Sequence, residues 1–402
     1  MRVALFLLCA AASSAAAQDS AVTLWTRESV NSAKLKEQRS VYVATPDGYR
    51  GETKRYPVLV ILDADDQPQF RLALANVAFL ASRGTIPPMI VVGIVNGKDR
   101  THDLTPPSPA IGPNNFPTAG GSAAFVDFVT DEVLPLIRSK YRTTPATIFA
   151  GHSFGGLVAL EIASKKPDAF TGVIAMSPSL WWDTTSVVAY SDRIAQGAKR
   201  ERLFVTSGGY EGAIDTPTVR FSQRLDSLKP TIAFGHQRYP SDSHGLTPAP
   251  SLADGLRFIY EPIAVTKLPI AALGPGADSA TVVKAVNDSK RLYAAGARGL
   301  GMEEERLPES ELNHVGYGVM EVLHNPALAV WVFNQNVELY PESANVYDSL
   351  GDALLAKGDT TAAKSSFKRA VDLAARTKHP VLATSLRKLT ALENVQVKGQ
   401  TK

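Results

Sequence analysis

Cysteine is almost missing from this chain of 402 residues; the single one, Cys9, falls within the first 17 positions. If that leader is removed no thiol remains, which excludes disulfides, thiolate catalysis and cysteine-ligated metal sites. An excess of charge of either sign is missing too. The 42 Lys and Arg face 39 Asp and Glu, and without Arg2 of the leader the balance is 41 against 39, about +2, with no basic run. Nucleic-acid binding has no electrostatic basis in such a composition. Past the leader there is no apolar stretch long enough to span a bilayer as a helix. The leader itself fits a secretory signal, with Arg2 as the positive end, a nearly all-apolar run over 3–12 and Ala15-Ala16-Ala17 as small residues at the cleavage site. Cleavage after Ala17 and a periplasmic or secreted destination are expected. Bulky Leu8 ahead of Cys9 argues against lipidation.

What is present is the run ATIFAGHSFGGLVALEIA, which holds Gly151-His152-Ser153-Phe154-Gly155. A serine lifted above a sheet on a tight strand-to-helix turn needs strained backbone, and bulky side chains two positions either side would strike the adjoining elements. Gly-x-Ser-x-Gly alone is a weak signal; its surroundings strengthen it. Residues 146–150 follow a Thr-Thr-Pro turn and read as a buried parallel strand. Residues 155–163 are apolar except for Glu161 and read as a helix against a sheet.

Strand-like and helix-like segments alternate from 22 to 260. Strands are expected at 39–45, 56–62, 88–95, 171–176, 202–206 and about 231–239. A helix at 122–137 should bury Phe125, Val129, Val133 and Leu136, and another should carry Phe221, Leu225 and Leu228. The pattern predicts an α/β fold, a mostly parallel sheet with helices on both faces, with antiparallel edge strands from 22–45. The resulting division is a signal at 1–17, an α/β domain at 18–263 that carries the serine elbow, a linker with helices at 264–309, helical repeats at 310–392 and a disordered tail at 393–402. The repeats rest on a 34-residue spacing: Ala329/Ala363, Phe333/Phe367, Val337/Val371 and Leu339/Leu373. That period resembles tetratricopeptide repeats, though Asn336 stands where a small apolar residue is usual. Two repeats are few for a free-standing solenoid, so packing on the helices at 280–300 or on the main domain is expected. The small helical domain reads equally as a lid, a surface for self-association, or a groove for a protein partner.

A serine hydroxyl is a poor nucleophile at neutral pH and needs a base that a third group orients. His244, in SDSHGL just past the last strand, is the expected base. His236 falls inside a strand and reads as structural, and the side chain of His152 should point away from that of Ser153. The acid should follow a strand between Ser and His. Glu211 in SGGYEG is first choice, with Asp215 and Asp242 as rivals that could equally form turns. The oxyanion needs fixed backbone donors: Phe154, opening the helix, and Ala64 in LDADDQ, with Asp65 close behind. The acidic run Asp63, Asp65, Asp66 lacks a nearby His or Glu to complete a ligand set, so no metal and no cofactor are expected. Of Trp181 and Trp182, one ring should be core and the other should line an acyl or aromatic pocket. Arg100 reads either as a surface residue or as a contact for substrate oxygens.

With these residues in view, the chain resembles the esterase group of α/β-hydrolases that includes the enterochelin (iron-siderophore) esterases, S-formylglutathione hydrolase and the mycolyltransferases. The resemblance covers about 22–262 and rests on LDADD, NGKDRTHDLTP, GHSFGG, MSPSLWWD and SDSHGLTPAPSLADGLRFIY. It implies Ser153 as nucleophile, His244 as base and Glu211 as acid, and it favours Arg100 as a substrate contact. The expected function is hydrolysis of a small-molecule carboxylic ester or thioester through an acyl-enzyme. Two alternatives stand beside it: acyl transfer on the same residues, or partner binding by the helical repeats with a vestigial hydrolase site.

Overall fold

The computed structural model describes residues 23–50, 54–109, 111, 115–197, 202–302, 305–377 and 379–400. The expected signal and Cys9 lie outside these. Among the described residues one sheet runs in the order β1 (Thr26–Ser32), β2 (Glu37–Ala44), β4 (Ile90–Ile94), β3 (Tyr56–Ile61), β5 (Thr143–His152), β6 (Gly172–Met176), β7 (Arg202–Gly208), β8 (Ala233–Tyr239). β1 pairs β2 and β2 pairs β4 antiparallel; from β4 to β8 every pairing is parallel. The parallel core with an antiparallel edge is the arrangement the alternation of apolar segments predicts.

Strand periodicity divides the core in two. Leu59, Ile61, Ile148 and Ile174 point to one face, where α1 (Gln67–Ser82) and α8 (Pro248–Ile259) cover them with Phe70, Val77, Leu252 and Leu256. Val58, Val60, Phe149 and Val173 point to the other. There α2 (Arg100–Leu104), α3 (Ser122–Asp127), α4 (Leu134–Lys140), α5 (Phe154–Lys165), α6 (Thr184–Ala195) and α7 (Asp215–Ser227) complete the layer. Between α3 and α4 the chain makes a π-helical turn, Phe128–Val133. The wider turn shifts the helical phase, so Ile137 is fully buried where Leu136, expected inward, is only half-buried. Leu228, expected on the apolar face of α7, caps that helix instead and is 40% exposed.

The C-terminal region is helical: α9 (Ser279–Gly299), α10 (Glu309–Glu321), α11 (Pro326–Leu339), α12 (Ala344–Ala356), α13 (Thr360–Thr377) and α14 (Leu382–Gln400). Val282, Val286, Tyr293 and Ala297 of α9 belong to the same apolar core as α1 and α8, so this region is packed on the main domain. Phe333 and Phe367, 34 residues apart, each pack against a glycine of the preceding helix. A Cβ on Gly316 would lie 2.5 Å from the Phe333 ring, and one on Gly351 would lie 2.5 Å from the Phe367 ring. Asn336 is buried and donates from Nδ2 to Glu309 O and Asn313 Oδ1, both at 3.0 Å, tying α11 to α10. α14 runs into 393–402, the segment expected to be disordered, because residues 382–398 contain neither proline nor glycine to stop it.

Candidate active site

The sheet delivers the site at the carboxyl ends of β3, β5, β6, β7 and β8, where loops are free to carry chemistry. Ser153 follows β5 directly and precedes α5, with φ 61° and ψ −117°, a poorly populated conformation for a side chain larger than hydrogen. Three backbone bonds hold it there. Ser153 N donates to Met176 O at 3.0 Å, and Ser153 O accepts from Leu157 N at 3.0 Å and Ser179 N at 3.1 Å. The glycine requirement is steric: a Cβ on Gly151 would sit 2.2 Å from Gly155 O.

His244 lies in the loop after β8, and Glu211 in the loop after β7. The two loops are stitched by backbone bonds, Gly209 N to Tyr239 O at 2.8 Å and Tyr210 N to Asp242 O at 3.0 Å. That brings His244 Nδ1 to 3.2 Å from Glu211 Oε1. Thr247 Oγ1 donates at 3.3 Å to the same carboxylate oxygen and itself accepts from Ser177 Oγ at 2.8 Å. Burial pushes the Glu211 carboxyl up, but hydrogen bonds from His244, Ser177 and the Gly208 amide outweigh it and hold the group below its ordinary value. Of the rivals, the Asp215 carboxylate is engaged elsewhere and Asp242 takes part in the turn through its backbone. Asp215 is bridged to Arg238 at 2.7 Å and accepts from Ser207 Oγ at 2.9 Å, while Asp242 forms the turn with Tyr239. His236 sits within β8, opposite Val205.

Ser153 and His244 occupy one rim without a direct hydrogen bond among the described residues. The Ser153 hydroxyl is 3.3 Å from Ser179 Oγ. His244 meets His152, the residue before Ser153: His152 Nε2 is 3.0 Å from His244 O and the two ring centroids are 4.3 Å apart. Catalytic hydrogen bonds are often long before substrate binds.

Ala64 is not placed as an oxyanion donor. It is fully buried and its N–H is committed to Ile94 O at 3.0 Å, tying the turn three residues past β3 to the end of β4. The next amide, Asp65, carries no partner among the described residues, and Phe154 N–H opens α5 with no carbonyl behind it in the helix. The acidic run is divided among structural tasks. Asp63 receives Arg100 Nε at 2.6 Å and Nη2 at 2.8 Å together with Asn96 Nδ2 at 2.8 Å; Asp65 accepts from Asn96 N at 3.0 Å, and Asp66 caps α1.

Arg100 is thus anchored at the mouth rather than free on the surface. Burial works against its charge, yet Asp63 keeps its pKa above the ordinary value. Its guanidinium lies 5.8 Å from the Phe154 ring. Trp182 is fully buried and donates Nε1–H to Pro106 O at 3.0 Å, whereas Trp181 is half-buried. Phe116, Phe154 and Trp181 meet with centroids 5.9–6.3 Å apart and form an aromatic wall beside Ser153. Phe116 escapes sequence reading because it lies in a Pro- and Gly-rich loop without periodicity. Ser177 and Ser179 stand in the quoted MSPSLWWD, but nothing in that string says which hydroxyl faces Ser153 and which the Glu211 side.

Comparison with known proteins gives the same picture. Residues 32–229 match the model of the family named Putative esterase. A siderophore enterobactin esterase of Emericella nidulans is 36% identical over 109 residues, covering 25% of this chain and 36% of that protein. A ferri-bacillibactin esterase of Bacillus subtilis is 31% identical over 162 residues, covering 36% of this chain and 55% of that one. The chain therefore spans between a third and about half the length of these relatives. In fold, an IroE-like serine hydrolase from Shewanella oneidensis superposes with a TM-score of 0.62 at 24% identity, covering 77% of this chain and 98% of its own. A protein from Capnocytophaga ochracea reaches 0.62 at 17% identity and covers 92% of this chain, the helical region included. By sheet order, elbow and the sequence match over 32–229, the chain is similar to the esterase-like α/β-hydrolases.

Proposed function

We propose that this protein is a serine esterase that hydrolyses carboxylic esters through an acyl-enzyme, with Ser153 as nucleophile, His244 as base and Glu211 as the orienting acid. The observation that carries the reading is the strained Ser153 elbow on the same rim as the His244–Glu211 pair. With Nδ1 facing Glu211, His244 has Nε2 left to take the Ser153 proton as Oγ attacks the acyl carbon. The developing oxyanion falls to the amides of Phe154 and Asp65. His244 then returns the proton to the departing alcohol, and the same base activates a water to release the acid. The names of the relatives and the aromatic wall with Arg100 support an iron-siderophore ester as substrate. The leader at 1–17 would carry the protein out of the cytoplasm to meet it.

The test is turnover of a panel containing short acyl esters, a thioester and ferric enterobactin by wild type and Ser153→Ala. Wild type should hydrolyse an ester, and Ser153→Ala should lose activity by about 10⁴-fold or more. Equal rates for the two proteins would overturn the assignment.

A further inference from the structure

His152 is a chemistry-bearing side chain at the centre of the site that the proposed reaction leaves unused. We propose that His152 is a positioning residue for His244: its Nε2–H donates to the His244 carbonyl and its ring supports the face of the His244 imidazole. The inference rests on the esterase reading of the site.

Four observations converge on it. His152 is the last residue of β5, and its backbone is fixed opposite Met176 of β6, so its side chain leaves a rigid element in the middle of the sheet. Its Nε2 lies 3.0 Å from His244 O. A carbonyl oxygen can only accept, so Nε2 must carry the hydrogen, which fixes the tautomer. The two rings are 4.3 Å apart and inclined by 36°. Finally, His244 sits in a loop whose neighbours Ser243, Gly245 and Leu246 are exposed, so little packing restrains it. Thr247 Oγ1, whose single hydrogen is shared with Glu211 Oε1, lies 3.0 Å from the same carbonyl, and Glu211 holds the ring from the Nδ1 side. His152 supplies the remaining restraint, on the loop backbone and on the ring face at once.

The stacking is compatible with turnover only if the two rings are not charged together. Burial foremost, and the neighbouring His244, push the His152 imidazole down to about 4; Asp63 works in the opposite direction and Arg100 in the same one. Glu211 faces the pair from the Nδ1 side of His244. His152 therefore stays neutral while His244 takes and returns its proton.

Two variants separate the parts of the role. His152→Phe keeps a ring and loses the donor; His152→Gln keeps an amide donor of similar reach. On an ester that wild type hydrolyses, His152→Phe should lower kcat about tenfold with KM within about twofold, and His152→Gln should recover most of the loss. A wild-type kcat for His152→Phe, equal losses in both variants, or a loss confined to KM would overturn the proposal. A second measurement does not depend on turnover. Long-range 1H–15N NMR of the folded protein at about pH 5.5 should show His152 neutral with the hydrogen on Nε2. A charged His152, or a hydrogen on Nδ1, would refute its role whatever the activity. Failure to hydrolyse any ester would instead count against the esterase reading, leaving the NMR result to decide the contact.

Discussion

Glu211 and His244, 33 residues apart, share a 3.2 Å hydrogen bond, while Asp215, four residues beyond Glu211, is locked to Arg238. Two carboxylates on neighbouring loops are given different tasks by their partners. Glu211→Gln should keep the fold and lower kcat by about 10²- to 10⁴-fold, because the amide no longer stabilises a protonated His244. Asp215→Asn should leave kcat near wild type. Steady-state rates for the pair check both.

The same contrast yields a pH prediction. The Arg238 hydrogen bond, foremost, holds the Asp215 carboxyl below its ordinary value. A depressed carboxylate contributes stability above its unfolded value of about 3.9, lost as pH falls through the folded value. Asp215→Asn should therefore melt lower than wild type by about 2 °C from pH 5 to 8, and the gap should close below about pH 4. A gap that widens in acid would contradict this. Thermal melts across that range are the measurement.

Adjacent tryptophans should behave oppositely. Trp182 is fully buried with its Nε1–H bonded to Pro106 O, so Trp182→Ala should destabilise the protein by about 3–5 kcal/mol. Trp181 is half-buried against Phe116 and Phe154. Trp181→Ala should raise KM for bulky aromatic acyl esters about tenfold and leave an acetyl ester nearly unchanged. Denaturant melts and the two KM values distinguish the cases.

Gly151 tests the elbow itself. The Cβ of Gly151→Ala would meet the Gly155 carbonyl at 2.2 Å, against backbone that cannot rotate away. The loss should reach about 3 kcal/mol, and activity should fall with it. Wild-type stability would mean the turn is looser than described.

The sheet was legible because its strands are unbroken apolar runs, as in 56–61 and 172–176, and because Gly-x-Ser-x-Gly sat between such a strand and an apolar helix. Glu211 and His244 were legible as residues just past β7 and β8. What escaped was local hydrogen bonding. The Ile94 carbonyl takes the Ala64 amide, a consequence of strand register that no string of residues displays. The π-helical turn at Phe128–Val133 has no composition of its own, so the phase shift from Leu136 to Ile137 could not be read. Phe116 reaches the site only because its loop folds back over Trp182, their centroids 5.0 Å apart.

The central claim is that Ser153 forms a covalent intermediate. Rapid acid quench of the wild-type protein with an activated ester, followed by peptide mass mapping, measures it directly. The account predicts one acyl group on the peptide containing Ser153, retained in His244→Ala only at a far slower rate. Turnover with that peptide unmodified at every quench time, or acylation of another residue at the catalytic rate, would contradict it.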